Sequence, residues 1–127
     1  MIGNPRPIKS FTDLYAWREG HGLVMMVYKV TASFPKPELY GLVSQLRRSA
    51  VSITSNIAEG FGRRSYREKV RFYTIALGSL IELQNQSIIA KDVGFIKVAT
   101  FDTIDAQTTK VRKLIIGLVK SSKSRYS

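Results

Sequence analysis

His21 is the one side chain in the sequence whose ordinary pKa lies near neutrality, and its available chemistry would be proton transfer or metal ligation. Catalysis by histidine needs an orienting partner and a nucleophile or substrate pocket, and no Asp or Glu stands three or four residues away on the same helix face. A satisfied or partly exposed histidine is the better reading. With no cysteine and a single histidine, neither a thiolate site nor a histidine cluster can form, so no metal and no cofactor are expected. No nucleophile-and-base motif is visible, and no catalytic residue is assigned. The chain reads as a non-enzyme.

The other chemistry the residues offer is anion binding. Gly60-x-Gly62 is followed by Arg63 and Arg64, and then by Arg67, Lys69 and Arg71. Two glycines before a helix start could shape a backbone cradle for a phosphate; a glycine cap with a tight turn is the plainer reading. Either way, five cations crowd a helix N-terminus whose dipole repels them, an arrangement that suggests an anionic partner. Arg47 and Arg48 add a second pair upstream. Being adjacent on a helix they lie about 100° apart, which leaves at least one guanidinium for solvent or a ligand. Asn56 and Glu59, one turn apart, could be an acid/base or metal pair, but structural use is favoured. A carboxylate at the negative end of a helix wants a cation, and Arg47, Arg48, Arg63 or Arg64 could supply it.

Helices must position these groups. Leu14, Trp17, His21, Val24, Tyr28 and Thr31 recur at steps of three and four and predict a first helix over about residues 13 to 32, capped by Thr12. Leu23, Val27 and Val30 form a second apolar line beside it. Phe34-Pro35-Lys36-Pro37 stops that helix, and a second begins near Pro37 with Glu38 at its positive end and runs to Glu59. Its seam is Leu39, Leu42, Leu46, Ala50, Ile53 and Ile57. Ser44, Ser49, Ser52, Ser55 and Ala58 flank that seam with little bulk, so a neighbour can approach closely. Gly60 ends the helix. Ser65 and Glu68 fit a capping box for a long third helix closed by Gly94. Val70, Tyr73, Leu77, Leu80, Leu83, Gln84, Ser87 and Lys91 line one of its faces. Phe72, Ile75, Ile81, Ile88 and Ile89 carry apolar character around the cylinder, so it should be the most buried helix. Thr100 can cap a fourth helix through Ile104, Thr108, Val111, Ile115 and Leu118.

The spacing therefore predicts an all-α, antiparallel up-down-up-down four-helix bundle over residues 12–120, an N-terminal arm over 1–11 and a basic disordered tail over 121–127. A chain of 127 residues is one domain, able to bury roughly two thirds of its unfolded surface. No apolar run is long enough to span a membrane, and the first ten residues do not read as a signal peptide, so a cytoplasmic protein is expected.

The net charge of +11 comes in blocks. Residues 36–71 carry eight basic and three acidic side chains, residues 97–127 seven and two, and residues 72–96 one and two. Lys110, Arg112, Lys113, Lys120, Lys123 and Arg125 read most simply as a solvated helix face with a basic tail. Phe61, Tyr66 and Tyr126 are aromatics near cations that could stack on unpaired bases, although Phe61 reads more simply as buried under the turn.

The segment YGLVSQLRRSAVSITSNIAEGFGRRS, with SFTDLYAWREG before it and REKVRFYTIALGSLIEL after it, resembles the bacterial four-helix-bundle proteins named for open reading frames within intervening sequences of 23S ribosomal RNA genes. The likeness covers roughly residues 10 to 120. Thr54 stands where many members carry proline after the isoleucine of SI-x-SNIAEG, and Gly20 and His21 fall in a helix usually richer in charge and alanine. The resemblance implies the same bundle and a ring-shaped homopentamer. It also implies that Asn56 and Glu59 belong to a packing segment. A relative that assists reverse transcription in diversity-generating retroelements, a basic ring binding nucleic acid and the transcriptase, points toward nucleic acid.

The expectation is an oligomeric bundle that binds RNA or DNA electrostatically, with weak sequence preference, through Arg47, Arg48, Arg63, Arg64, Arg67, Lys69 and Arg71. Asn56, Glu59, Gly60, Ser65 and Glu68 are assigned structural roles. The alternative is a scaffold whose positive charge steers an acidic partner protein.

Overall fold

Four stretches of three-four periodicity become four helices. The computed structural model describes residues 7–126, and its helices are α1 Tyr15–Thr31, α2 Leu42–Phe61, α3 Tyr66–Asp92 and α4 Val98–Lys123. No strand occurs among the described residues. Most of the expected N-terminal arm, residues 1–6 with Pro5 and Arg6, and Ser127 of the tail lie outside the described residues.

Each helix touches two neighbours, α1 with α2 and α4, and α3 with α2 and α4, which makes a square bundle. All four pairings are antiparallel. Arg47 near the start of α2 bonds Thr31 at the end of α1. Gly60 near the end of α2 abuts Phe72 and Tyr73 near the start of α3. Lys91 at the end of α3 lies over Phe101 near the start of α4. Gln107 of α4 reaches the Glu19 carbonyl of α1.

The core is filled by Leu23, Val27, Ile53, Ile57, Leu80, Leu83, Val111 and Ile115. Full burial of each such side chain contributes about 1.5–3 kcal/mol. Leu46 and Ile53 lie on the expected seam of α2, whereas Leu39 is 49% exposed. The reason is a break: Lys36–Glu38 form only a 3-10 turn, and α2 restarts after Gly41. Glu38 still serves the positive end, its Oε1 accepting the Leu42 N–H at 3.3 Å.

Helix α1 is rotated from the expected face. Its buried line is Ala16, Gly20, Leu23, Val24, Val27 and Thr31. Trp17 stays half-buried and His21 exposed, stacked on one another at 4.9 Å with Phe11 edge-on to the indole. Small Ala16 and Gly20 set the close approach: a Cβ on Gly20 would meet Thr54 Cγ2 of α2 at 3.0 Å. Thr12 does not cap α1. Ser10 caps a preceding 3-10 turn, Phe11–Asp13, in a reciprocal box with Asp13.

Helix α2 runs unbroken through Thr54 and through Gly60, so Gly60 does not end it; Gly62 is the cap. A polar ladder joins α2 to α3, with Ser49 donating to Gln86 at 2.9 Å and Ser52 bonded to Ser79 at 2.7 Å. Of the small residues flanking the seam, Ser49 and Ser52 meet α3, whereas Ser55 is exposed.

Helix α3 is not the most buried element. Tyr73, Ala76, Leu80, Leu83, Ser87 and Ala90 face inward, but Ile75, Ile81, Ile88 and Ile89 remain exposed. Gly94, at φ +86°, closes it in the left-handed conformation that suits glycine. Helix α4 starts at Val98, two residues before the expected Thr100 cap, and continues to Lys123 with Ser122 buried, so the tail is helical for its first three residues.

Candidate nucleic-acid interface

An up-down-up-down path brings the N-termini of α1 and α3 and the C-termini of α2 and α4 to one end of the bundle. The turn between α2 and α3 is anchored there from both sides. Ser65 caps α3, its Oγ accepting the Glu68 N–H at 3.1 Å, and Glu68 pairs with Arg71 at 3.7 Å. Lys69 reaches back to the carbonyls of Phe61 at 2.6 Å and Gly60 at 3.4 Å, and lies over the Phe61 ring. Both carbonyls belong to the last turn of α2, where the helix ladder leaves acceptors open to side chains.

The turn is not a phosphate cradle. Gly62 has right-handed torsions, φ −77° and ψ −7°. The Gly62 and Arg63 N–H groups donate back to the Ala58 and Gly60 carbonyls. Gly60 is needed elsewhere, because its missing Cβ makes room for Tyr73.

Arg63 pairs with Glu59 at 3.0 Å and covers the Phe72 ring at 4.4 Å. Of the four arginines that could have matched Glu59, Arg63 is the one in place. Asn56 turns the other way and donates to the Ser52 carbonyl at 2.8 Å, so Asn56 and Glu59 do not form a pair. Arg67 lies over Tyr126 at 4.7 Å. Arg64 is exposed, and its side chain makes no hydrogen bond, ion pair or ring contact among the described residues. Arg63, Arg64, Arg67 and Arg71 therefore share one solvent-facing end.

Two of the expected site residues are elsewhere, and one is occupied. Arg47 donates to Thr31 Oγ1 at 3.0 Å and lies over Tyr28 at 4.5 Å, tying α2 to the end of α1. Arg47 stands about 21 Å along α2 from the helix end at Phe61, so Arg47 and the exposed Arg48 do not join the cluster. Lys69 is nearer but is engaged as the cap of α2.

The sequence blocks hid one contributor. Arg125, just past α4, donates to the Tyr66 hydroxyl at 3.2 Å and lies over its ring at 5.5 Å. Lys120 and Lys123 occupy the last turn of α4. Cations at a helix C-terminus complement its dipole, which accounts for them locally, but they add to the same positive end. The up-down topology alone predicts this convergence. Lys110 is different: it pairs with Glu19 at 3.2 Å along the α1–α4 seam. The Gln107 and Lys110 contacts hold the Glu19 carboxyl below its usual range, while burial pushes the Tyr73 phenol up.

A groove of about 560 Å³ beside the α2–α3 turn is lined by Phe11, Ser55, Ala58, Glu59, Gly62 and Arg63. It is open and holds no paired catalytic groups. Among the described residues no three of His, Cys, Asp and Glu gather at metal-binding distance, and no helix is long and apolar enough to cross a membrane.

Comparison with curated proteins finds no match. A crystal structure of a protein of unknown function from the S23 ribosomal protein family of Bacteroides thetaiotaomicron superposes with a TM-score of 0.74 at 20% identity, covering 83% of this chain and 98% of that one. That likeness shows the fold. The profile described as 23S rRNA-intervening sequence protein matches residues 12–117, nearly all of the bundle. Four helices in this order, and a family match that runs from before α1 to residue 117 within α4, place the chain in the 23S rRNA-intervening sequence protein family.

Proposed function

We propose that this protein is a non-enzymatic, cytoplasmic bundle that binds nucleic acid electrostatically through the end where α2, α3 and α4 gather their cations. The observation that carries this reading is the company Arg64 and Arg67 keep. Both are exposed, neither has a carboxylate partner among the described residues, and Arg64 stands beside an α3 N-terminus that disfavours it. Phosphates would relieve that repulsion. The cations of this end are suited to phosphates and carry no base-reading pattern among the described residues, so weak sequence preference is expected. Fluorescence anisotropy with labelled RNA and DNA of unrelated sequence is the test. Similar affinities that fall steeply with salt are expected, and no binding at low salt would contradict the proposal.

A protein-contact role has its own support. Ile75, Ile81, Ile88 and Ile89 leave α3 with an exposed apolar face beyond what the four-helix core covers. We assign that face to self-association, with five copies suggested by the family resemblance. A ring would repeat the basic end and multiply its charge.

A further inference from the structure

We propose that the basic end prefers single-stranded nucleic acid, because two arginine–tyrosine stacks present platforms for unpaired bases. This rests on the reading of that end as a nucleic-acid site. Arg67 of α3 lies over Tyr126, which follows α4, at 4.7 Å; Arg125, which also follows α4, lies over Tyr66 of α3 at 5.5 Å and donates to its hydroxyl. The two stacks are reciprocal. Each segment supplies one arginine and one tyrosine, so the chain after α4 is fastened to the start of α3 by two crossed contacts.

Neither guanidinium has a carboxylate partner among the described residues, and both arginines are exposed. A guanidinium held over an aromatic ring keeps its charge, is weakly hydrated and offers a planar face. Unpaired bases stack on such faces and on aromatic rings. In a duplex the base faces are already covered by their neighbours, so a duplex can use only its phosphates here. The stacks therefore add an interaction that requires single-stranded bases, on top of the charge attraction that any nucleic acid receives.

The clean comparison holds phosphate number constant. A short uridine oligomer and an abasic strand of equal length are titrated against the full chain at one salt concentration. The base-bearing strand is expected to bind at least about five-fold tighter, the low end of what one stacked base contributes. In a Tyr66→Leu/Tyr126→Leu variant, which removes no charge, that difference should vanish while abasic affinity holds. The Tyr66→Phe/Tyr126→Phe variant keeps both rings and should keep the difference. Equal affinity of the parent for the two strands overturns the stacking proposal and leaves charge-driven binding standing. Equal losses on both strands in the leucine variant also overturn it, since the tyrosines would then only position the arginines. If the parent binds neither strand, the reading of the basic end fails with it.

Discussion

The edge of the Tyr73 ring occupies the space a Cβ on Gly60 would need: Cε1 lies 2.6 Å and Cδ1 2.9 Å from that position. Both residues are buried, and they join the last turn of α2 to the first turns of α3. Gly60 is thus a close-packing residue inside a helix and not its terminator. Gly60→Ala should destabilise by about 1–3 kcal/mol, as overpacking does. Gly62→Ala, whose nearest neighbour would be the Glu59 carbonyl at 3.6 Å, should stay close to the parent. Thermal melts compare them, and equal melting temperatures would remove the packing role.

Leu46→Ala and Ile53→Ala should each cost about 2–5 kcal/mol, because both side chains are buried on the α2 seam. Leu39→Ala should change stability by no more than about 0.5 kcal/mol, since Leu39 lies on the half-exposed stretch before α2. Urea titration separates the three.

The residues that misled sequence reading have a common physical cause. Bulk suggested the α1 seam through Trp17 and Tyr28, yet the helix approaches its neighbours along Ala16 and Gly20, where lack of bulk decides. Hydroxyl side chains at Thr12 and Thr100 suggested caps, but Ser10 caps only the 3-10 turn before α1, and α1 and α4 start after Leu14 and Lys97 with no side-chain cap. The bundle, the α2 seam and the Gly94 terminus were legible because period and turn chemistry agreed there. The basic cluster was legible as composition. Its membership was not: separating Arg47 and Lys69 from Arg64 and Arg67 required knowing which carbonyls and rings were within reach.

Stability should respond to pH at two named groups. Glu19 is held below its ordinary pKa by Gln107 and then Lys110, so its contribution is complete above the unfolded-state value and is lost as pH falls through the folded one. Glu19→Gln should flatten that acid limb. Tyr73 is pushed up by burial, so stability holds below the ordinary tyrosine pKa and declines as pH rises toward the folded value. Tyr73→Phe should remove that decline. Melting curves across pH are the measurement, and unchanged limbs in both variants would contradict the assignment.

Light scattering tests self-association through α3. The parent should have a mass above that of one 14.3 kDa chain. Ile81→Lys with Ile88→Lys should lower that mass toward the monomer without unfolding it, because both positions are solvent-facing in the single chain. A monomeric parent at micromolar concentration would contradict the oligomer.

The central claim is that one end of the bundle, and not net charge at large, receives nucleic acid. Each neutralised phosphate contributes about 0.7 to 0.9 to the slope of log affinity against log salt. The decisive measurement is that slope for Arg63→Gln/Arg64→Gln/Arg67→Gln beside Lys29→Gln/Lys36→Gln/Lys97→Gln, which removes the same charge from exposed positions at the opposite end. The arginine triple should weaken binding to unrelated RNA and DNA sequences alike and flatten the slope, with melting temperature and oligomer mass nearly unchanged, while the lysine triple leaves the slope close to the parent's. Equal flattening by both triples would contradict the account, since charge alone, wherever it sits, would then explain the binding.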